Sequence, residues 1–204
     1  MGVDKVIVRA FFSTLFAIVI LFAFMLLSLV CLYPQTMMEI TYNLGMETPS
    51  IWFAEKSYER SDDVYYIAYA TEVAIEQSDY EKIDVCGERF VKDEGFGAYC
   101  AAKNAKLPEA VTSTYEQYVY GQLCVAKYER GKSGEAIECA FAFTGTAFPK
   151  NNAVVALLVT ALKDGDTQTA EKIKGKMEQM QNSIPQEDKA YFEEVLGVFA
   201  RNDE

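Results

Sequence analysis

Gly131-Lys132-Ser133 is the one tripeptide in this chain that suggests a chemistry at first sight, because it ends the phosphate-gripping loop of many nucleotide hydrolases. Such a loop needs G-x-x-x-x-G-K-[ST] after a strand and before a helix, so that its first glycine lets backbone N–H groups close around phosphate. Five residues before Gly131 stands Ala126, inside a segment with helical spacing. No nucleotide is expected here. Gly131 is read instead as a tight turn between helices, with Lys132 and Ser133 near the next helix start.

Other reactive residue types point the same way. The chain has no histidine, which removes the commonest general base and neutral metal ligand. Cys31 lies in an apolar run, and Cys86, Cys100, Cys124 and Cys139 follow it. No C-x-x-C pair occurs, so zinc spacing is missing. The last four could form two disulfides in three connectivities, or serve as small apolar core residues. A cysteine nucleophile would need a lysine or carboxylate base, and no local arrangement offers one. Glu187-Asp188 and Glu193-Glu194 are expected on solvated helix faces, and no calcium-loop spacing is present. Neither catalytic residues, nor a metal, nor a cofactor are expected. The 13 tyrosines are more informative, with clusters at Tyr65-Tyr66, Tyr69 and at Tyr115, Tyr118, Tyr120, Tyr128.

These residues must be positioned by two kinds of element. Residues 10–33 run without a charge, and as a helix they would extend roughly 36 Å, enough to cross a bilayer core of about 30 Å. The run is long for a cleaved signal peptide and no small-x-small site follows it. Lys5 and Arg9 precede it, while the next basic residue is Lys56. Positive charge stays on the cytoplasmic side. The expectation is a single-pass anchor in the lipid bilayer through residues 10–33, with a cytoplasmic stub at 1–9 and the rest outside the cytoplasm. Nearly all of the 30 acidic and 19 basic residues lie beyond the span, and that acidic surface disfavours nucleic acid.

The remainder reads as all-α. A connector is expected over 34–60, with a short helix opened by Thr48-Pro49. Helices are expected over 62–77, 79–93, 109–130 after Pro108, 134–147, 152–163, 167–182 and 186–200, from apolar residues at 3.6-residue spacing and from caps and turns. No period-2 stretch suggests a strand. The turn GKSGEA (131–136) recurs as GDTQTA (165–170), with Gly131 matching Gly165 and Ala136 matching Ala170 at 34 residues. SDYEKI (78–83) is an earlier copy, with an insertion of 19 residues between it and the next.

A 34-residue helix–turn–helix period resembles the tetratricopeptide repeat. The resemblance implies repeats over about 64–97, 117–150 and 151–184 within a helical domain 61–204, closed by a capping helix 185–200. In that family the first helix of each pair lines a concave groove for peptides or partner helices. Carried over by position, Tyr65, Tyr69, Glu72, Tyr118, Gln122, Val125, Asn152, Val155 and Val159 would line it. The role implied is a non-catalytic adaptor or accessory subunit of a membrane complex, binding a protein partner. A ligand-binding sensor and an unrecognised enzyme are the alternatives.

Overall fold

A computed structural model describes residues 3–108, 114–142 and 152–180, together with 193, 194 and 197. Every regular element among the described residues is an α-helix. In chain order they are α1 (Val3–Leu32), α2 (Pro34–Asn43), α3 (Glu47–Ser61), α4 (Val64–Glu76), α5 (Tyr80–Lys92), α6 (Phe96–Asn104), α7 (Tyr115–Glu129), α8 (Ser133–Ala142), α9 (Asn152–Lys163) and α10 (Thr167–Met180). The chain divides into two compact units, Met1–Asp62 and Asp63–Glu204.

In the first unit, Ile7–Leu32 is long and apolar enough to cross a membrane, and none of its most apolar stretch is buried within the protein. Two of its hydroxyls are satisfied locally: Thr14 and Ser28 donate to the carbonyls of Ala10 and Phe24, at 3.0 and 2.8 Å. Such bonds to the preceding turn satisfy a hydroxyl without a partner outside the helix. The stretch 34–47, expected as an unpatterned connector, contains α2, with Pro34 in its first turn. Proline fits there because its missing N–H would have no intrahelical partner. α2 packs on α3, whose Ile51, Phe53 and Ala54 are buried. α3 begins at Glu47 after Met46, and Thr48, expected as its cap, lies inside it without capping.

In the second unit, helix starts carry readable caps. Asp63 accepts from the Tyr65 N–H at 2.9 Å, Asp79 from Lys82 at 3.1 Å and Asp166 from Thr169 at 3.0 Å. The helix expected from 109 starts at Tyr115, because Thr114 and Gln117 form a reciprocal capping box. Residues 109–113 lie outside the described residues, as does the expected capping helix 185–200, apart from isolated positions.

The helix ends repeat one device. At Gly131 the N–H donates to the Tyr128 carbonyl at 2.8 Å and that of Lys132 to Lys127 at 2.9 Å, with φ 74°. Gly165 and Asp166 repeat this pair of bonds to Leu162 and Ala161, with φ 70°. Ser78 and Asp79 repeat it to Ile75 and Ala74, with φ 55°. This is the Schellman closure, in which a left-handed residue turns the last carbonyls back onto the chain. Glycine adopts it freely, whereas Ser78 carries a steric cost. A fourth copy lies in the first unit: Gly45, φ 68°, and Met46 donate to Tyr42 and Thr41. Five residues after each left-handed residue stands a buried side chain: Ser50, Ile83, Ala136 and Ala170.

Between those turns the second unit is stitched by apolar packing. α4 packs on α5, α5 on α7, and α7 on both α8 and α9, with α10 against α9. Ala136, Ala153 and Ala170 are small enough to bring helix backbones close, and Leu157, Leu158 and Ile173 fill the space around them. Burying one such leucine or isoleucine contributes about 1.5–3 kcal/mol. The 19-residue insertion supplies α6, which packs against α4, α5 and α7. The four cysteines of this unit stand as thiols, with Cys86, Cys100 and Cys124 buried and Cys139 half-buried. Burial, then the charges of Glu116 and Glu72, pushes the Cys100 thiol up to about 12. It is therefore a core residue, not a nucleophile.

Candidate functional site

Tyr65, Tyr69, Glu72 and Glu76 recur along α4 at spacings of four, three and four, and so share one helical face. On α7, Tyr115, Tyr118, Gln122 and Val125 recur at spacings of three, four and three and likewise share one face. The two faces meet at Glu72. Its Oε1 accepts the hydroxyl of Tyr115 in a very short hydrogen bond and that of Tyr99 at 3.2 Å, and lies 2.7 Å from Lys103 Nζ. The same ammonium stands 5.4 and 5.5 Å from the ring centroids of Tyr99 and Tyr115, within cation–π range.

Around this hub the aromatic rings continue outward. Tyr115 lies 6.3 Å from Tyr118, and Tyr65 lies 6.5 Å from Tyr69. Inward, Tyr99 and Phe96 set their edges against the buried Phe90. Burial and the Glu72 carboxylate raise the pKa of Tyr115, and the same causes push Tyr99 up to about 12. Both stay neutral donors at any physiological pH. The pKa of Tyr118 is raised by burial and by the charges of Glu76 and Glu72. Tyr118 remains 45% exposed and Tyr65 48% exposed.

The residues expected in the groove thus divide. Glu72 and Tyr118 come together, and Tyr65 and Tyr69 stack on the same face of α4. Gln122 and Val125 are half-buried on α7. Val155 packs against the core of α7–α10, while Val159, one turn on, is 40% exposed. Asn152 opens α9, and its side chain lies outside the described residues. Tyr99 and Lys103 belong to the site but come from α6, inside a stretch that reads only as alanine-rich. Their i, i+4 spacing is the signal that pairs them on one helical face.

A second polar constellation lies on another face, and it explains Lys132. Asp84 on α5 is only 2% exposed. It accepts from Lys127 Nζ and Lys132 Nζ, each at 2.8 Å, and from Arg130 in a very short bond. Lys127, its side chain 7% exposed, also meets Glu88 at 2.7 Å and Glu135 at 3.5 Å. Burial alone would raise the Asp84 pKa, but hydrogen bonds from Lys127 and Lys132 outweigh it and hold the carboxyl at about 2. Burial likewise would lower Lys127, and its bonds to Asp84 and Glu88 raise it. The Gly131 turn therefore directs Lys132 back onto α5 and ties the start of α8 to it. Ala136, five residues on, packs in the core, and Gly165 and Ala170 repeat the pair at the next turn.

Among the described residues, no group of three or more His, Cys, Asp or Glu side chains is arranged to hold a metal ion. No family model matches the chain, no curated protein matches it, and no solved structure matches it.

Proposed function

We propose that the chain is a single-pass membrane protein, its N-terminus in the cytoplasm, that presents a divergent tetratricopeptide-like domain outside the cytoplasm as an adaptor or accessory subunit of a membrane complex. The work of the domain is to bind a protein partner, with no chemistry of its own. The single observation that carries this reading is the α4–α7 face. It leaves Tyr65 and Tyr118 about half exposed, and Glu72 and Glu76 lie on the same face of α4 as Tyr65. Exposed tyrosines are suited to recognition, since a rigid ring gives contact area while its hydroxyl tolerates water.

Two further observations support the frame. The same left-handed closure ends α2, α4, α7 and α9, each just before the next helix, which is what a chain of helical hairpins requires. The long apolar α1, with the basic residues Lys5 and Arg9 in its first turns, supports an anchor with that orientation.

Affinity purification of the full chain in mild detergent tests the reading. A stoichiometric membrane partner is expected with the wild type, and its loss with Tyr65→Ala/Tyr118→Ala at unchanged helicity. Reproducible recovery of the chain alone, or a partner indifferent to both substitutions, would sink it. Orientation is tested by labelling intact cells with an impermeant thiol reagent at Glu81→Cys, a surface position. Labelling is expected, and full protection until lysis would reverse the topology.

A further inference from the structure

The Asp84 constellation opens onto a cleft of about 310 Å³, lined in part by Arg89, Lys92, Arg130 and Lys132 above Asp84 and Glu88. Four of the 19 basic residues of a chain carrying net charge −11 thus line one hollow, with two carboxylates among them. Including the buried Lys127 and the nearby Glu135 leaves the positive excess unchanged.

The excess is also sterically available. A single carboxylate, Asp84, is shared by three cations, and Glu88 is shared between Lys127 and Lys92. A guanidinium has five N–H donors in a planar fork, and an ammonium has three. Arg130 and Lys132 use few of theirs on Asp84, and their side chains remain 31% and 37% exposed. Lys92 is exposed at the rim.

We propose that this cleft docks an acidic segment of a partner protein, whose Asp and Glu side chains pair with Arg89, Lys92, Arg130 and Lys132. The cations form two groups, Arg89 and Lys92 at i, i+3 on α5, and Arg130 and Lys132 at the α7–α8 turn. Carboxylates spaced along a peptide reach both groups, and each can take a bidentate pair with arginine. Phosphate concentrates its charge at one point, where it meets the fixed carboxylates of Asp84 and Glu88. A bilayer is flat and engages protruding cations, not donors set inside a hollow. The inference goes beyond the aromatic face: it uses other residues of α5 and α7 and a partner of opposite charge preference.

The test uses the full chain in uncharged detergent micelles, titrated with a fluorescent glutamate-rich peptide at low ionic strength. Binding is expected, and Arg89→Gln/Lys92→Gln, which leaves the three cations on Asp84 in place, should weaken it about tenfold. Tyr65→Ala/Tyr118→Ala should leave it unchanged, which separates this claim from the aromatic-face reading. Arg130→Gln is the second probe, scored only if circular dichroism shows native helicity. Equal binding of the matching glutamine-rich peptide would overturn the proposal. So would an affinity indifferent to Arg89→Gln/Lys92→Gln, or displacement by inorganic phosphate or by anionic phospholipid in the micelle at lower concentration than by the unlabelled peptide.

Discussion

Glu72 on α4 and Asp84 on α5 each join α7 to its neighbours, and they do so by opposite means. Glu72 is approached by two tyrosine hydroxyls and one ammonium, in an aromatic setting that continues to the surface. Asp84 is approached by three cations and almost no water. Hydroxyls that are already neutral leave a hub whose loss costs modestly. Three full charges on one buried carboxylate make a hub that the fold depends on, because the buried Lys127 and the turn cations Arg130 and Lys132 all converge on it. One constellation is therefore a polar hub within an aromatic surface, and the other a structural lock with cations to spare.

The largest effect expected from this contrast is at the lock. Asp84→Asn should cost about 3–5 kcal/mol of unfolding free energy, since it removes the one carboxylate shared by Lys127, Arg130 and Lys132 and leaves the buried Lys127 only the more exposed Glu88 and Glu135. Lys127→Met should cost at least about 2 kcal/mol less, because Asp84 keeps Arg130 and Lys132 and the thioether fills the space. Urea denaturation compares the two, and equal costs would break the asymmetry. Next comes pH. The Asp84 carboxyl is held at about 2 against 3.8 in the unfolded chain. The folded protein binds fewer protons between those values, so this stabilisation is full above the unfolded value and lost as pH falls through about 2. It is worth about 2 kcal/mol. The acid limb of the wild-type stability profile should fall more steeply than that of Asp84→Asn by that amount.

The turns give the middle rank. Gly131→Ala and Gly165→Ala should each cost about 1–2 kcal/mol, and Ser78→Gly should gain about 0.5–1 kcal/mol, because only the left-handed backbone and not the surrounding space restricts these positions. Thermal unfolding distinguishes the signs, and a loss on Ser78→Gly would show that the three turns are not equivalent. The smallest effect belongs to the aromatic hub. Glu72→Gln should cost about 1 kcal/mol in stability. It should nonetheless lower the tyrosine titration seen by absorbance at alkaline pH, because the carboxylate contributes to the raised pKa of Tyr115 and Tyr99. An unchanged alkaline titration would mean that burial alone sets those values.

Much of this architecture is legible in the sequence, and the gaps have physical reasons. Gly131/Ala136 and Gly165/Ala170 are readable because only small residues serve a left-handed turn and a close helix crossing. The fourth copy at Gly45 is hidden by Ser50 in place of alanine and by residues of α2, such as Thr41, Tyr42 and Asn43, that are poor helix formers held by packing on α3. The start of α7 was legible in Thr114 and Gln117, although Pro108 draws the eye first. Glu72 and Tyr118 are reached by carrying the tetratricopeptide groove over by position, but Tyr99 and Lys103 are not, since α6 sits within an insertion that has no counterpart in the other hairpins. Asp84 was the least legible. A lone aspartate is ordinarily a surface residue, and its partners Lys127, Arg130 and Lys132 lie 43, 46 and 48 residues away.

The central claim is that the α4–α7 face, and not the chain in general, meets a protein partner. Photo-crosslinking in intact cells tests it most directly, with a photoreactive phenylalanine analogue at position 118 and, for comparison, at Glu171 on the surface of α10. The account predicts one discrete crosslinked species from position 118, absent from position 171 and abolished by Tyr65→Ala. The same species from both positions, or none from position 118 in a folded, membrane-inserted chain, would contradict it.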